Sequence, residues 1–185
     1  DVTTGINIWG KSDGGVRLNA FYRYSFDRND LRLGYSVGMW YYDHDGTPVV
    51  LNDYNTHCNK WSKFWTEAGN AQGKEGAQES WRTTLYNDNP VILMRYADVL
   101  LMYAEAVNEL EGGVTGPNGA KAIEAFKQVR NRAFAFEDRS EKVDAYIAAN
   151  TSKDDFFKIL MNERKWEFGG ENMRWKDLVR WNKYS

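Results

Sequence analysis

Cysteine is almost missing from this chain of 185 residues. Cys58 is the only one, which excludes an intramolecular disulfide and any cysteine-based zinc centre and leaves the redox compartment open. Histidine is nearly as scarce, with only His44 and His57, and neither stands in a Glu-x-x-His or His-Glu-x-x-His element, so a metal site of the helix-bundle type lacks its imidazoles. Long hydrophobic runs are missing too. None approaches the roughly 18 residues of a membrane span, and the longest candidate, Val91 to Leu101, is broken by Arg95 and Asp98. Charge of one sign is also lacking: a formal net charge of −2 with both signs interspersed gives no footprint for nucleic acid or an anionic membrane surface. The chain begins at Asp1, with neither initiator Met nor signal peptide, and stops at Ser185 close behind an amphipathic helix. We therefore expect a processed chain or a piece of a longer one.

Aromatic residues, in contrast, are abundant. They make up 15% of the chain and include 8 tryptophans, and 42% hydrophobic residues overall suffice for a sizeable core, in one large domain or two small ones. Their placement divides the chain. Trp9, Trp40, Trp61, Trp65 and Trp81 lie before residue 90, where short apolar pieces such as 16–21 and 34–42 alternate with Gly14-Gly15, Asn29-Asp30 and Asp45-Gly46. That alternation predicts short strands, long turns and a hairpin over 39–51 with Asp45-Gly46 at its tip. The segment Asp43-His44-Asp45-Gly46 lacks the third oxygen ligand and downstream Glu of a calcium loop, so it reads as the turn. His57 and Cys58 are adjacent in an extended segment and point apart, which discounts a nucleophile and base. Loop-rich stretches of this kind are more often functional surface than core.

Helix takes over at Asn89-Pro90, a starting signal. We expect a helix from Val91 to Glu111 with a stripe of Tyr96, Leu100, Tyr103, Val107 and Leu110, and small Ala97, Ala104 and Ala106 leaving room for a neighbour. A glycine-rich loop over 112–119 leads to a helix from Ala120 to about Phe134 that turns Ala122, Phe126, Val129 and Ala133 to one side. Ala122-x3-Phe126-x2-Val129 resembles the second helix of a tetratricopeptide repeat. A polar connector over roughly 137–151 should end at Ser152-Lys-Asp-Asp155, a capping-box-like start.

The densest mixture of aromatics and charges follows. On a wheel turning about 100° per residue, Phe156, Phe157, Leu160, Met161 and Phe168 share one arc, and Glu163, Arg164 and Glu167 fall inside or beside it. Lys158, Asn162 and Lys165 lie opposite. Gly169-Gly170 reads as a helix stop with a residue able to take positive φ. A second helix, about Met173 to Tyr184, then places Arg174 and Asp177 among Met173, Leu178 and Trp181. Charges on an apolar face are normally paired. Glu163, Arg164, Glu167, Arg174, Asp177 and Arg180 are thus expected to form a structural ion network locking two antiparallel helices, flanked by Trp166, Trp175 and Trp181, rather than an acid/base or metal pair; no catalytic or metal-binding residue is assigned.

Four stretches together resemble one family. The run 91–109, the helix ending Gln128-Val-Arg-Asn-Arg-Ala133, the run Asn162-Glu-Arg-Lys-Trp-Glu-Phe168, and Arg174-Trp-Lys-Asp-Leu-Val-Arg-Trp181 look like the C-terminal half of SusD/RagB-type nutrient-binding lipoproteins. Asp30-Leu-Arg32 and Lys63-Phe-Trp65 resemble shorter elements of the same family. The resemblance implies a mainly α fold of tetratricopeptide-like helix pairs, with a loop- and hairpin-rich part over 1–89 facing ligand and a helical scaffold over 90–185, both belonging to one larger SusD-like domain. It also implies an outer-membrane lipoprotein in nutrient uptake and polysaccharide utilisation, outward-facing, seated on a SusC-like TonB-dependent transporter, capturing glycans without catalysis or a cofactor, and held to the membrane only through a lipid anchor absent from this chain.

Sugars present apolar C–H faces rimmed by hydroxyls, so a binder needs exposed aromatic planes beside amides or carboxylates. Trp40, Tyr41, Tyr42, Trp61, Trp65 and Trp81 are the candidate ligand-binding residues, with Asp43, Asp45, Asn52, Asp53 and Asn55 near them in sequence. A helical-repeat module that holds a protein or peptide is the alternative. Glycoside hydrolysis by two flanking carboxylates stands third.

Overall fold

The computed structural model describes residues 5–7, 10–12, 17–42, 47–52, 56–60 and 92–184. The fold is mainly α-helical, and the chain divides into two compact units, one of residues 1–26 with 33–91 and one of residues 27–32 with 92–185. The short excursion 27–32 joins the helical unit although it lies deep in the first half of the chain.

In the first unit, three small antiparallel pairs hold extended backbone together. β1 (Gly5–Asn7) pairs with β2 (Gly10–Ser12), β3 (Val37–Gly38) with β6 (His57–Cys58), and β4 (Trp40–Tyr42) with β5 (Pro48–Val50), in the register Trp40 opposite Val50. Gly14-Gly15 and the hairpin tip over 43–46 lie outside the described residues. Two pieces expected as strands are partly helical instead: 16–21 runs into α1 (Ala20–Tyr24), and 34–42 begins inside α2 (Arg32–Ser36) before β3. Asn19 supplies the reason for the first, since its side-chain oxygen accepts from the Phe21 N–H at 2.8 Å, a helix start that a search for alternating apolar residues passes over.

The helical unit is built on α3 (Tyr96–Glu111), α4 (Gly119–Asn131) and α6 (Lys153–Phe168), with the short α5 (Tyr146–Ala148) and α7 (Arg174–Arg180). α3 packs on both α4 and α6. It starts at Tyr96, later than expected, because Arg95 is extended (φ −137°, ψ 161°); Asn89-Pro90 lies outside the described residues. Glycine ends α3. Gly112 takes φ +69° and the Gly113 N–H donates to the Asn108 carbonyl oxygen at 3.0 Å, a Schellman closure. The Glu111 carboxylate then accepts from the backbone and side-chain amides of Asn118, tying the loop to the next helix. Gly119 opens α4 so close to the loop that a Cβ there would meet the Val114 carbonyl oxygen at 1.9 Å.

The core draws Ala97, Leu101, Ala104 and Val107 from α3, Ala122, Phe126 and Val129 from α4 with Ala133 just beyond it, and Phe156, Ile159, Leu160 and Phe168 from α6. The expected face of α4 is the buried one. That of α3 is corrected in part: Tyr96 (69% exposed) and Leu110 (86% exposed) face outward, as does Tyr103, while Val107 of the expected stripe is buried beside Ala97 and Ala104, and Ala106 stays exposed. Apolar side chains ring this helix, so period alone does not select a face, and the side with Ala97 and Ala104 permits the closest approach of two neighbours.

The supposed polar connector is also helical, with a 3₁₀ turn (Phe136–Asp138), a π-helical turn (Ser140–Ala145) and then α5, and it buries Val143 and Ile147. α6 begins as expected. The Ser152 hydroxyl accepts from the Asp155 N–H and donates to the Asp155 carboxylate at 2.8 Å. Past Phe168, Gly170 takes φ +80°, and α7 stops at Arg180, short of the expected Tyr184. No described helix is long and apolar enough to cross a membrane.

Candidate functional site

The charged residues on the inner face of α6 are buried, and arginines from three other segments converge on them. Glu163 is fully buried; its Oε1 accepts from Arg32 Nη1 and its Oε2 from Arg130 Nη1, both at 2.7 Å. Glu167, one turn on, accepts from Arg32 Nη1 at 3.1 Å, from Arg132 Nη2 at 2.6 Å and from Arg95 Nη1. The Glu167 backbone carbonyl takes a further bond from Arg95 Nη2, and Glu171 receives Arg95 through two bonds of 2.9 Å. Arg32 is itself held by Asp30, through Nε at 3.0 Å and Nη2 at 2.8 Å. This is why the segment 27–32 belongs to the helical unit.

A second half of the network ties α7 to α3. Arg164, also buried, donates from Nη1 to Asp98 at 2.7 Å and from Nε to Asp177 at 2.8 Å. Arg180 bonds the other Asp177 oxygen at 2.9 Å and reaches Glu105, which also accepts from the Trp181 indole at 2.6 Å. Two guanidiniums lie over the Phe168 ring, Arg95 at 4.5 Å and Arg164 at 4.9 Å from its centre. Arg130 stacks on Tyr146 at 4.0 Å.

The electrostatics follow from this crowding. Burial alone would push the Glu167 carboxyl up, but Arg95, Arg32 and Arg132 together hold it below the ordinary carboxylate value. Burial would likewise weaken the Arg32 cation, and Glu163, Asp30 and Glu167 reverse the effect and raise it. Arg174 behaves differently. Half-buried, it donates to the Met161 carbonyl oxygen at 3.0 Å, and burial lowers its pKa against a partial opposing pull from Asp177. Expected inside the ion network, it caps a backbone carbonyl instead.

Of the six residues expected in the network, the structure brings Glu163, Arg164, Glu167, Asp177 and Arg180 into carboxylate–guanidinium contacts. Each of those contacts except Arg164–Asp177 and Arg180–Asp177 reaches outside that set, to Arg32, Arg95, Asp98, Glu105, Arg130 or Arg132. Among the flanking tryptophans, Trp181 packs edge-on against Phe157 at 5.5 Å, Trp166 lies near Arg130, and Trp175 is 51% exposed. Buried carboxylates saturated by arginines suit packing rather than proton transfer.

Of the candidate ligand aromatics, Trp40 is half-buried on β4. Tyr41 and Tyr42 share that strand, and only their backbone is described. Trp61, Trp65 and Trp81 lie outside the described residues, as do Asp43, Asp45, Asp53, Asn55 and Lys63-Phe64. Asn52 is exposed beyond β5. His57 is buried and Cys58 half-buried on β6.

A family model described as the SusD family matches residues 9–185. The chain belongs to the SusD family. SusD-like protein P25 of Formosa agariphila is 38% identical over 96 residues, which is 52% of this chain and 16% of that protein. SusD-like protein P38 of the same organism is 38% identical over 97 residues, 52% of this chain and 18% of its own length. SusD-like protein P2 is 33% identical over 119 residues, 64% of this chain and 20% of that protein. The matched segment thus spans a fifth or less of these relatives. The four longer stretches that carry the resemblance meet in space: Arg95 and Asp98 come from the first, Arg130 and Arg132 from the second, Glu163, Arg164 and Glu167 from the third, and Asp177 and Arg180 from the fourth, with Asp30 and Arg32 from the front of the chain.

Proposed function

We propose that this chain is part of a non-catalytic glycan-binding subunit that works with a SusC-like TonB-dependent transporter on the outward face of the outer membrane. Membership of the SusD family over residues 9–185 carries the reading. In this view the helical unit is a scaffold of repeat-like helix pairs, and the aromatic-rich front half, with Trp40, Tyr41, Tyr42, Trp61, Trp65 and Trp81, supplies ring platforms for sugar. The test is isothermal titration of the protein against plant, host and microbial polysaccharides, with a peptide digest as counter-screen. Heat from a polysaccharide with no oligosaccharide released supports capture. Released oligosaccharide would overturn the non-catalytic reading.

A second reading, a module for peptide or protein, is favoured by one observation: Leu93, Met94, Tyr96, Val99, Tyr103 and Leu110 form an exposed apolar flank on and before α3. Peptide binding with silent glycans would select it.

A further inference from the structure

A cavity of about 330 Å³ opens between the first turn of α3 and the last turn of α4, and its described lining belongs to the helical unit. Its floor is apolar, from Leu100 and Val129, and its rim carries Arg95, Tyr96, Gln128 and Arg132. The two arginines differ in what they have left to offer. Arg95 is committed, with Nε, Nη1 and Nη2 all bonded to Glu167 or Glu171. Arg132 donates to Glu167 Oε1 through Nη2, the same oxygen that already accepts from Arg95, and its side chain is 61% exposed. A guanidinium has five N–H donors in a planar fork that matches a carboxylate. Beside it, the Tyr96 ring is 69% exposed and the Gln128 amide is exposed as well.

A positive fork, an open aromatic face and an amide around an apolar floor describe a compact ring that is apolar on one side and anionic at one end. We infer that this cavity binds a sugar ring bearing a carboxylate, a hexuronate, with the carboxylate on Arg132, the ring against Tyr96 and a hydroxyl on Gln128. The choice of a sugar ring rests on the glycan-binding function proposed above; the selection for a carboxylate rests on Arg132 alone. The site is separate in sequence and in unit from the aromatics of the front half.

The test is calorimetric titration with D-galacturonate, compared with D-galactose and with acetate, on the protein and on Arg132→Gln and Gln128→Glu, with circular dichroism to check folding. Galacturonate should bind, galactose and acetate each at least about tenfold more weakly, and both variants should lose about tenfold or more in galacturonate affinity, the scale of one charged hydrogen-bonded contact. Gln128→Glu sets a like charge before the ligand, and a partner for Arg132 four residues on, at a residue that is itself outside the ion network, so it decides the matter if Arg132→Gln fails to fold. Equal binding of galactose, undiminished binding by the folded variants, or no galacturonate binding would each overturn the inference. Silent polysaccharides with galacturonate still bound and lost on Gln128→Glu would sink the glycan-capture reading and leave the anionic cavity standing.

Discussion

α3 and α6 are both 16 residues long and pack against each other, yet they bury different mixtures of side chains, with Asp98 the single charged residue that α3 buries. α3 turns Ala97, Leu101, Ala104 and Val107 inward and leaves Tyr96, Tyr103 and Leu110 outside, whereas α6 turns Glu163, Arg164 and Glu167 inward among Phe156, Leu160 and Phe168. The difference shows that inside and outside are decided by what arrives opposite. A carboxylate is tolerated at the centre because arginines reach it from other segments, and a tyrosine is left outside because two helices need the small residues beneath it.

The sharpest way to break this comparison is to remove the centre of α6. Glu163→Ala leaves Arg32 and Arg130 buried without that partner, and should cost about 3 to 5 kcal/mol in urea unfolding; a loss under about 1 kcal/mol would mean the arginines rehydrate and the inner face of α6 is not a true core. Acid probes the same face more gently. The folded Glu167 carboxyl lies below its ordinary value of 4.5, so its contribution is complete above that pH and disappears as pH falls through the lower folded value. Thermal melts should therefore show this contribution constant from neutral pH down to about 5 and lost in stronger acid, and Glu167→Gln should flatten the acid limb. At Arg174 the expectation is milder. Arg174→Ala gives up one bond to a backbone carbonyl and should cost about 1 kcal/mol, so a loss equal to that of Glu163→Ala would return it to the network. The smallest effect belongs to the outer face of α3. Leu110→Ala should change stability by less than about 0.5 kcal/mol, while Leu101→Ala on the inner face should cost about 2 to 5 kcal/mol; equal effects would mean the two faces are not distinct.

How much was legible depended on whether the signal was local. The wheel around Phe156 placed Glu163, Arg164 and Glu167 on the inner face, the Ser152 start is a four-residue pattern, and the Gly169-Gly170 stop is a conformational allowance. All three are readable from neighbours in the chain. The partners of Glu163 were not. Arg32 lies 131 residues away and Arg130 33 away, so no spacing rule connects them, and only the motif resemblance singled out the segments that hold them. Arg174 was misplaced for a related reason: a wheel gives the direction of a side chain, and the Met161 carbonyl that meets it comes from another helix. The cavity beside Arg132 carried no sequence signal, since it is the gap between two helix ends.

By itself the sequence determined the three long helices of the scaffold and the family they resemble, because periodicity, caps and motif order are properties of adjacent residues. It also determined that the charges of α6 needed partners, since lone buried ions are too costly. Tertiary structure alone decided who those partners are, which side of α3 is core, and that residues 27–32 join the helical unit. Each of these depends on the approach of surfaces far apart in the chain, and the free energy of a buried charge or a close helix contact belongs to the pair of surfaces rather than to either one.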